Sequence, residues 1–329
     1  MVDKIVSMSV LIPYEHQVGG WHKGAQSCVL KDQRGLILKP LKLNANPTYN
    51  QKPLVSKSTE RNEIVKPCDE ELIPVCRDEL GFYEHLKTST SPDDTSLKSL
   101  MPTYHGSHQV VMEDGQEFPH LVLEDLTAGL QLPCVADIKI GHSFYYPGKE
   151  HYLQKTKSAA QRELGFCLTG LRVFHPGTGH ISTELRPDTC KKLSISQVLE
   201  AGLETFCQQD LGYGSDLRQA LVTQLLCIHE WFLKQRSYKI RCSSILMVYD
   251  ASQLATGQQI LQSSEAASVT PQLNSEAVLC ELDPKVTVKM IDFAHVLYSC
   301  GERDENYIFG LENLIKFLTK QMNRETPND

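Results

Sequence analysis

An aspartate and a lysine stand two residues apart in Leu132–Gly141, LPCVADIKIG. The run is apolar enough for a buried strand, and in an extended chain alternate side chains point to opposite faces. Asp137 and Lys139 therefore share one face, while Ala136, Ile138 and Ile140 point into a core. Opposite charges on one face either neutralise each other, as an exposed pair worth about 0.2–1 kcal/mol, or share a ligand. Three further features favour a ligand. Lys39 closes a short apolar strand, LILK. An acidic LEDL at 123–126 lies where two halves of the chain would join, and Asp292 ends an apolar strand in MIDF. A lysine after a strand is most often a solvated edge residue, and LEDL alone reads as an acidic turn. A carboxylate within IDFA, by contrast, is costly to bury without a partner. Together they supply a lysine for nucleotide phosphates, a carboxylate for a bridging Mg²⁺ and a positive group for the phosphoryl in flight. That is the inventory of phosphoryl transfer from a nucleotide such as ATP. Such chemistry is mostly positioning and charge neutralisation, so it needs no nucleophilic Ser or Cys.

The elements that must position these residues are legible in outline. Cys28–Leu30 and Leu36–Leu41 flank KDQRG as a hairpin, and Arg77–Leu86 repeats apolar residues on one side as a helix does. HLVLEDL is a short strand ending in acids. Ser158–Phe166 and Ser194–Phe206 read as helices, and Asp216–Lys234 is the strongest helical pattern in the chain. Arg241–Asp250 and Val286–Val296 each read as one strand, and Leu311–Met322 as a closing helix. The polar segment 44–66 and the Ser-, Gln- and Ala-rich segment 251–280 read as disordered insertions. Strands come first and a mixed second half follows. The expectation is an α+β chain of two lobes: 1–125 with an antiparallel sheet plus helix, and 126–329.

Composition sets outer limits. With 329 residues, 41% hydrophobic and 22% charged, the chain suits two lobes of a globular protein. No apolar run is long enough to span a bilayer, so no transmembrane segment and no secretory route are expected. The 11 cysteines form no CxxC pair and no zinc spacing, which points to free thiols in a reducing compartment, cytoplasmic or nuclear. The net charge of −7 argues against a surface for nucleic acid. Lys149, Lys155 and Lys157 nevertheless cluster in GKEHYLQKTK and suit an anionic small ligand. Lys191 and Lys192 read as a solvated helix face, and His108, His120 and His180 as ordinary residues.

The motifs also carry a family resemblance. PCVADIKIG resembles the PxxxDxKxG signature of the inositol polyphosphate kinase family, RCSSILMVYD its SSLL-type strand and MIDFAH its IDFAH metal motif. HQVGGW, LKPLK and RDELGFYEHL are similar to that family's N-terminal lobe. The matches run in the family's order over most of the chain, and the pattern is most similar to the family's multikinases. The resemblance implies a two-lobed, protein-kinase-like fold with ATP and Mg²⁺ in the interlobe cleft.

It also implies roles for individual residues. Backbone groups of Glu124 and Leu126 would hold adenine, Asp137 the ribose, and Lys39, ion-paired with Glu79, the phosphates. Ser243 and Ser244 would lie near the nucleotide, and Asp292 would bind Mg²⁺. Lys139, Gln154, Lys157 and His295 would meet the inositol phosphate. The implied reaction is phosphorylation of soluble inositol tris- and tetrakisphosphates at the 3- and 6-hydroxyls to the pentakisphosphate by a monomer. Phosphatidylinositol bisphosphate is a second candidate acceptor. No long substrate cap or calmodulin-type basic helix of a trisphosphate 3-kinase is present. The short GHSFYYPGKEHYLQKTK suggests an open pocket and lacks the acidic stretch of hexakisphosphate kinases. Within the enzyme class the rival is such a pyrophosphate-making kinase. Outside it, the rival is a kinase-fold scaffold, which Lys39, Asp137, Lys139 and Asp292 argue against.

Overall fold

The computed structural model describes residues 4–7, 10–18, 28–41, 74–76, 78–112, 114–144, 158–254 and 286–325. The first lobe is built on a six-stranded sheet: β1 (Lys4–Ser7), β2 (Ile12–Pro13), β3 (Leu30–Lys31), β4 (Ile37–Pro40), β5 (Tyr104–Val111) and β6 (Glu117–Leu123), in the order β1-β5-β6-β4-β3-β2. The β3–β4 hairpin turns where the KDQRG composition says it should, because Asp32 Oδ1 accepts from the Arg34 and Leu36 amides at 2.9 Å each. The sheet is not wholly antiparallel: β1 runs parallel to β5 along one edge, which corrects the expectation.

Between β4 and β5 lie α1 (Glu79–Thr88) and α2 (Pro92–Ser99). Asp78 caps α1 by accepting from the Gly81 amide at 2.8 Å, and Ser91 with Pro92 in the first turn starts α2. Both helices are fastened to the second lobe, α1 through His85, whose Nε2 lies 3.1 Å from the Tyr238 hydroxyl, and α2 through two acids. Trp231 Nε1 donates to the Asp93 carbonyl at 3.0 Å, and the Tyr238 hydroxyl donates to Asp94 at 2.6 Å.

The second lobe carries a five-stranded antiparallel sheet in the order β12-β11-β7-β8-β9. Its strands are β7 (Pro133–Ile140), β8 (Phe166–Phe174), β9 (Ile181–Leu185), β11 (Ser244–Asp250) and β12 (Val286–Ile291). A small pair, β10 (Tyr238–Arg241) and β13 (His295–Tyr298), stands apart. Against the sheet pack α3 (Ala159–Leu164) and two long helices, α4 (Gly214–Lys234) and α5 (Glu305–Glu325). Leu217, Leu221, Leu225 and Ile228 of α4 are fully buried, as are Leu311, Leu314 and Leu318 of α5, so the helical periodicity marks the core. The result is a two-lobed α+β fold whose central strand, β7, carries the Asp–Lys pair.

Several elements differ from the expected ones. The run 241–250 is two strands, broken where Cys242 takes a φ of 59°, and 286–296 is two strands broken where Asp292 takes 66°. The helix expected at 158–166 stops at Leu164, and Phe166 opens β8. The helix expected at 194–206 is one α-helical turn continued as a π-helix at Val198–Glu204. Residues 251–254 form a helical turn with Ala251 and Leu254 buried, so they are not part of an insertion. The remainder of that segment, and 44–66, lie outside the described residues.

Candidate active site

A cavity of about 430 Å³ opens between the two sheets. Val29, Ile37, Leu123, Leu126, Val135 and Leu246 give it apolar walls at one end. Lys39, Glu79, Asp137, Lys139, Asp292 and His295 line the other. The residues singled out in β4, α1, β7 and the IDFAH motif thus converge on one space, with Glu124 and Leu126 at its joining segment. Ser243 and Ser244 do not reach it. Both are buried; the Ser243 hydroxyl is 3.4 Å from that of Tyr307, and the Ser244 hydroxyl lies beside Asp137, whose raised pKa it partly offsets. Gln154 and Lys157 lie outside the described residues.

At the polar end, Lys39 Nζ donates to Glu79 Oε1 at 2.8 Å and to Asp292 Oδ1. Glu79 Oε1 also accepts from the Phe293 amide at 3.0 Å, which fixes the start of the turn after Asp292. Burial alone would lower the Lys39 pKa, but the Asp292 and Glu79 carboxylates outweigh it and hold the ammonium well above its usual value. Asp292 is in the left-handed region, which Asp and Asn tolerate better than other side-chain-bearing residues. Asp292 faces the cavity, and Phe293 stacks on Phe82 at 5.5 Å in the core.

On β7 the alternation holds: Ala136, Ile138 and Ile140 are buried, and Asp137 and Lys139 both face the cavity. No hydrogen bond or ion pair joins the two. Asp137 is 5% exposed, and its Oδ1 has no hydrogen-bond partner. Burial raises its pKa, and the nearby Asp292 carboxylate raises it further. Lys139 Nζ instead sits over the Phe144 ring, 5.1 Å from its centre. Burial lowers the Lys139 pKa, but the fields of Cys242, Asp292 and Asp137 together raise it. The pair is therefore not a simple surface salt bridge.

Sequence reasoning passed over Asp125, the second acid of LEDL. Its buried carboxylate takes the Lys31 ammonium at 2.8 Å, the Tyr14 hydroxyl at 3.0 Å and the Thr127 hydroxyl at 2.7 Å. Burial would raise its pKa, but these donors, Lys31 first, hold it below the usual carboxylate range. The apolar flanks of LEDL were the available signal, since an acid between two leucines needs built-in partners. Tyr83, Cys242 and His16 also line the cavity; they lie within RDELGFYEHL, RCSSILMVYD and HQVGGW, but their residue types carry no signal that singles them out there.

Among the described residues no group of three His, Cys, Asp or Glu is arranged to hold a metal ion. Asp292 and the unpartnered Oδ1 of Asp137 fit one or two hard oxygen ligands. Mg²⁺-like cations are commonly held this way, with phosphate oxygens and water completing the shell.

Comparisons with known proteins agree with this geometry. A family model described as "Inositol polyphosphate kinase" matches residues 120–319. The rice (Oryza sativa subsp. japonica) "Inositol polyphosphate multikinase IPK2" is 29% identical over 94% of this chain and 94% of its own. The Arabidopsis thaliana "Inositol polyphosphate multikinase beta" is 28% identical over 73% of this chain and 79% of its own. Among solved structures, the inositol phosphate multikinase Ipk2 of S. cerevisiae in complex with ADP and Mn²⁺ superposes with a TM-score of 0.54. It covers 76% of this chain and 98% of that one at 20% identity, a likeness of fold. The family match runs from β6 through the joining segment, Asp137, Lys139 and Asp292 into α5, and on that breadth the chain belongs to the inositol polyphosphate kinase family.

Proposed function

We propose that the chain is a kinase of the multikinase type, moving the γ-phosphoryl of ATP to ring hydroxyls of inositol tris- and tetrakisphosphates, at the 3- and 6-positions, to give a pentakisphosphate. The observation that carries this is one cavity in which Lys39 grips Asp292 while Asp137 and Lys139 face the same space unpaired with each other. That arrangement has charged groups waiting for a ligand with both phosphate and hydroxyl groups.

The apolar end suits a purine, with backbone groups of Glu124 and Leu126 as its polar partners. Lys39 would pass from Asp292 to the nucleotide phosphates. Asp292 would hold a divalent cation, Mg²⁺ in this reading, which when bound would neutralise phosphate charge. The relative that carries ADP and Mn²⁺ supports this pairing of nucleotide and cation. Lys139 and His295, with Gln154 and Lys157, would hold the inositol phosphate.

The resemblance assigns Asp137 to the ribose; its carboxylate also shares a strand face with Lys139 two residues on and faces the same cavity, and this reading takes it as the base at the reacting end. There the acceptor hydroxyl gives its proton to the Asp137 carboxylate as its oxygen bonds to phosphorus. The bond from the γ-phosphorus to the bridging oxygen breaks, and ADP leaves with the electron pair. Lys139 neutralises the charge on the phosphoryl in transit.

Phosphatidylinositol bisphosphate stands as a second acceptor in this reading. The free thiols of the described cysteines support a reducing compartment, cytoplasmic or nuclear. The test is incubation with ATP, Mg²⁺ and a panel of inositol phosphates, with products separated by phosphate number and position. New monoesters on tris- and tetrakisphosphates are expected. A diphosphate product would assign the chain to pyrophosphate synthesis, and no transfer to any acceptor would overturn the reading.

A further inference from the structure

The loop after β7 is held by a residue from the far end of the chain. Asn306, in the first turn of α5, makes a reciprocal pair with Ser143. The Ser143 amide donates to Asn306 Oδ1 at 2.7 Å, and Asn306 Nδ2 donates to the Ser143 carbonyl at 3.2 Å. Asn306 is buried at 8% exposure and stands 2.5 Å from where a Cβ on Gly141 would lie. Only glycine, here at a φ of +105°, admits that approach.

The next residue of the loop, Phe144, carries the ring over which Lys139 sits, and its carbonyl accepts from Cys242 Sγ at 3.6 Å. Asp304, the residue just before α5, holds the β10–β11 corner. Asp304 accepts from Arg241 Nη1 at 2.8 Å and from the Ile240 amide at 2.6 Å. A lysine stem is flexible, so an ammonium at a reacting centre needs confinement, and an aromatic face provides it.

We propose that Asn306 is a positioning residue for acceptor phosphorylation: through Ser143 it fixes Phe144 against Lys139 and so confines the Lys139 ammonium to the acceptor side of the cavity. The inference rests on the reading of Lys139 as a group that meets the inositol phosphate. None of Asn306, Ser143 and Phe144 lines the cavity, so the clamp acts on it through Lys139 and Cys242.

Asn306→Asp separates the clamp from the fold. It keeps an oxygen for the Ser143 amide but turns the second contact into one oxygen facing another. The lost donor and the buried charge should lower the melting temperature, with the helix dipole offsetting part of the loss, so the kinetics are compared well below the variant's melting temperature. Steady-state kinetics of the full chain should show kcat/KM for inositol trisphosphate falling on the order of tenfold or more, with KM for ATP unchanged. Phe144→Leu should reproduce the acceptor defect. A folded Asn306→Asp variant with parental acceptor kinetics, or one weakened equally toward ATP, would overturn the proposal.

A second readout does not depend on turnover. Iodoacetamide labelling of Cys242, followed by peptide mass spectrometry, should speed up several-fold in Asn306→Asp as the Phe144 carbonyl moves off the thiol, by the same logic that restrained thiols react slowly. An unchanged labelling rate counts against the clamp whatever the substrate is. Faster labelling in a protein whose parent phosphorylates no inositol phosphate supports the clamp and refutes the substrate reading instead.

Discussion

At the scale of single residues, the site is a set of charges that compensate one another only in part. Asp292 pairs with the Lys39 ammonium and, in the proposed reaction, would hold the cation. Asp292→Asn keeps the side chain's size and its tolerance of the left-handed region and removes only the charge. The expected outcome is a folded protein whose kcat falls by orders of magnitude. Near-parental turnover in that variant would take Asp292 out of the chemistry.

Asp137 gives a sharper test because its kinetic and thermodynamic effects have opposite signs. Asp137→Asn should collapse kcat while leaving KM for ATP near the parental value. A raised KM with kcat kept would return the residue to the ribose. Its folded pKa lies above the ordinary value, so the native state binds this proton more tightly than the unfolded chain does. The resulting stability is fully present below the unfolded pKa, about 3.9, and is lost as pH rises through the raised folded value. Asp137→Asn should therefore melt above the parent at neutral pH, with the gap closing as pH falls toward the ordinary aspartate range. Thermal unfolding of both proteins across that range would measure it, and a variant less stable at neutral pH would show that Asp137 is compensated by its neighbours.

At the scale of elements, the sequence revealed strand faces and helix periods better than it revealed breaks. The alternation in LPCVADIKIG put Asp137 and Lys139 on one face correctly, because burial on both sides of β7 leaves no freedom of register. The strands at 241–250 and 286–296 were read as continuous because nothing in their composition punctuates them. Their breaks are left-handed residues at Cys242 and Asp292, where tertiary contacts outweigh local preference. Of the missed strands, β8 alternates buried with half-buried residues and β9, at the sheet's edge, is largely exposed, both weaker signals than a buried run.

A close approach between elements is equally invisible in sequence. Gly170 of β8 lies where an added Cβ would stand 2.1 Å from the Val18 carbonyl. Val18, with His16 and Gln17, walls the cavity from the first lobe. Gly170→Ala must push that segment away, since backbone cannot yield as a side-chain tip can. KM for ATP should rise several-fold while KM for the acceptor stays put, a loss of positioned wall rather than of chemistry. An unchanged KM for ATP would show that the segment relaxes without cost.

At the scale of the whole molecule, the two lobes are joined by charge as well as by packing. Lys31 in the first sheet reaches Asp125 in the joining segment at 2.8 Å, and Lys39 in the first sheet reaches Asp292 in the second lobe. The α1–α2 pair is fastened by the Met290 amide to the Leu100 carbonyl at 2.8 Å and by Trp231 to Asp93. The cleft is thus bridged by ion pairs, and the bridge uses two groups that the ligands need. A divalent cation alone must take Asp292 from a half-buried ammonium, and a nucleotide alone must bring its phosphates near the half-buried Asp292 and buried Glu79 carboxylates. Arriving together, they exchange one set of charge pairs for another.

Nucleotide and cation should therefore bind with positive coupling, which is a difference in binding free energy between one ligand with and without the other. A ligand that binds only the native state at a hundred times its dissociation constant adds about 2.7 kcal/mol of stability. Thermal unfolding with ATP and Mg²⁺ together should rise by more than the sum of the shifts each gives alone. In Lys39→Gln, Asp292 has lost its ammonium, so Mg²⁺ alone should raise the melting temperature where it hardly moves the parent's. Additive shifts in the parent, with no gain for the cation in Lys39→Gln, would mean that the Lys39–Asp292 bridge is not what the ligands displace.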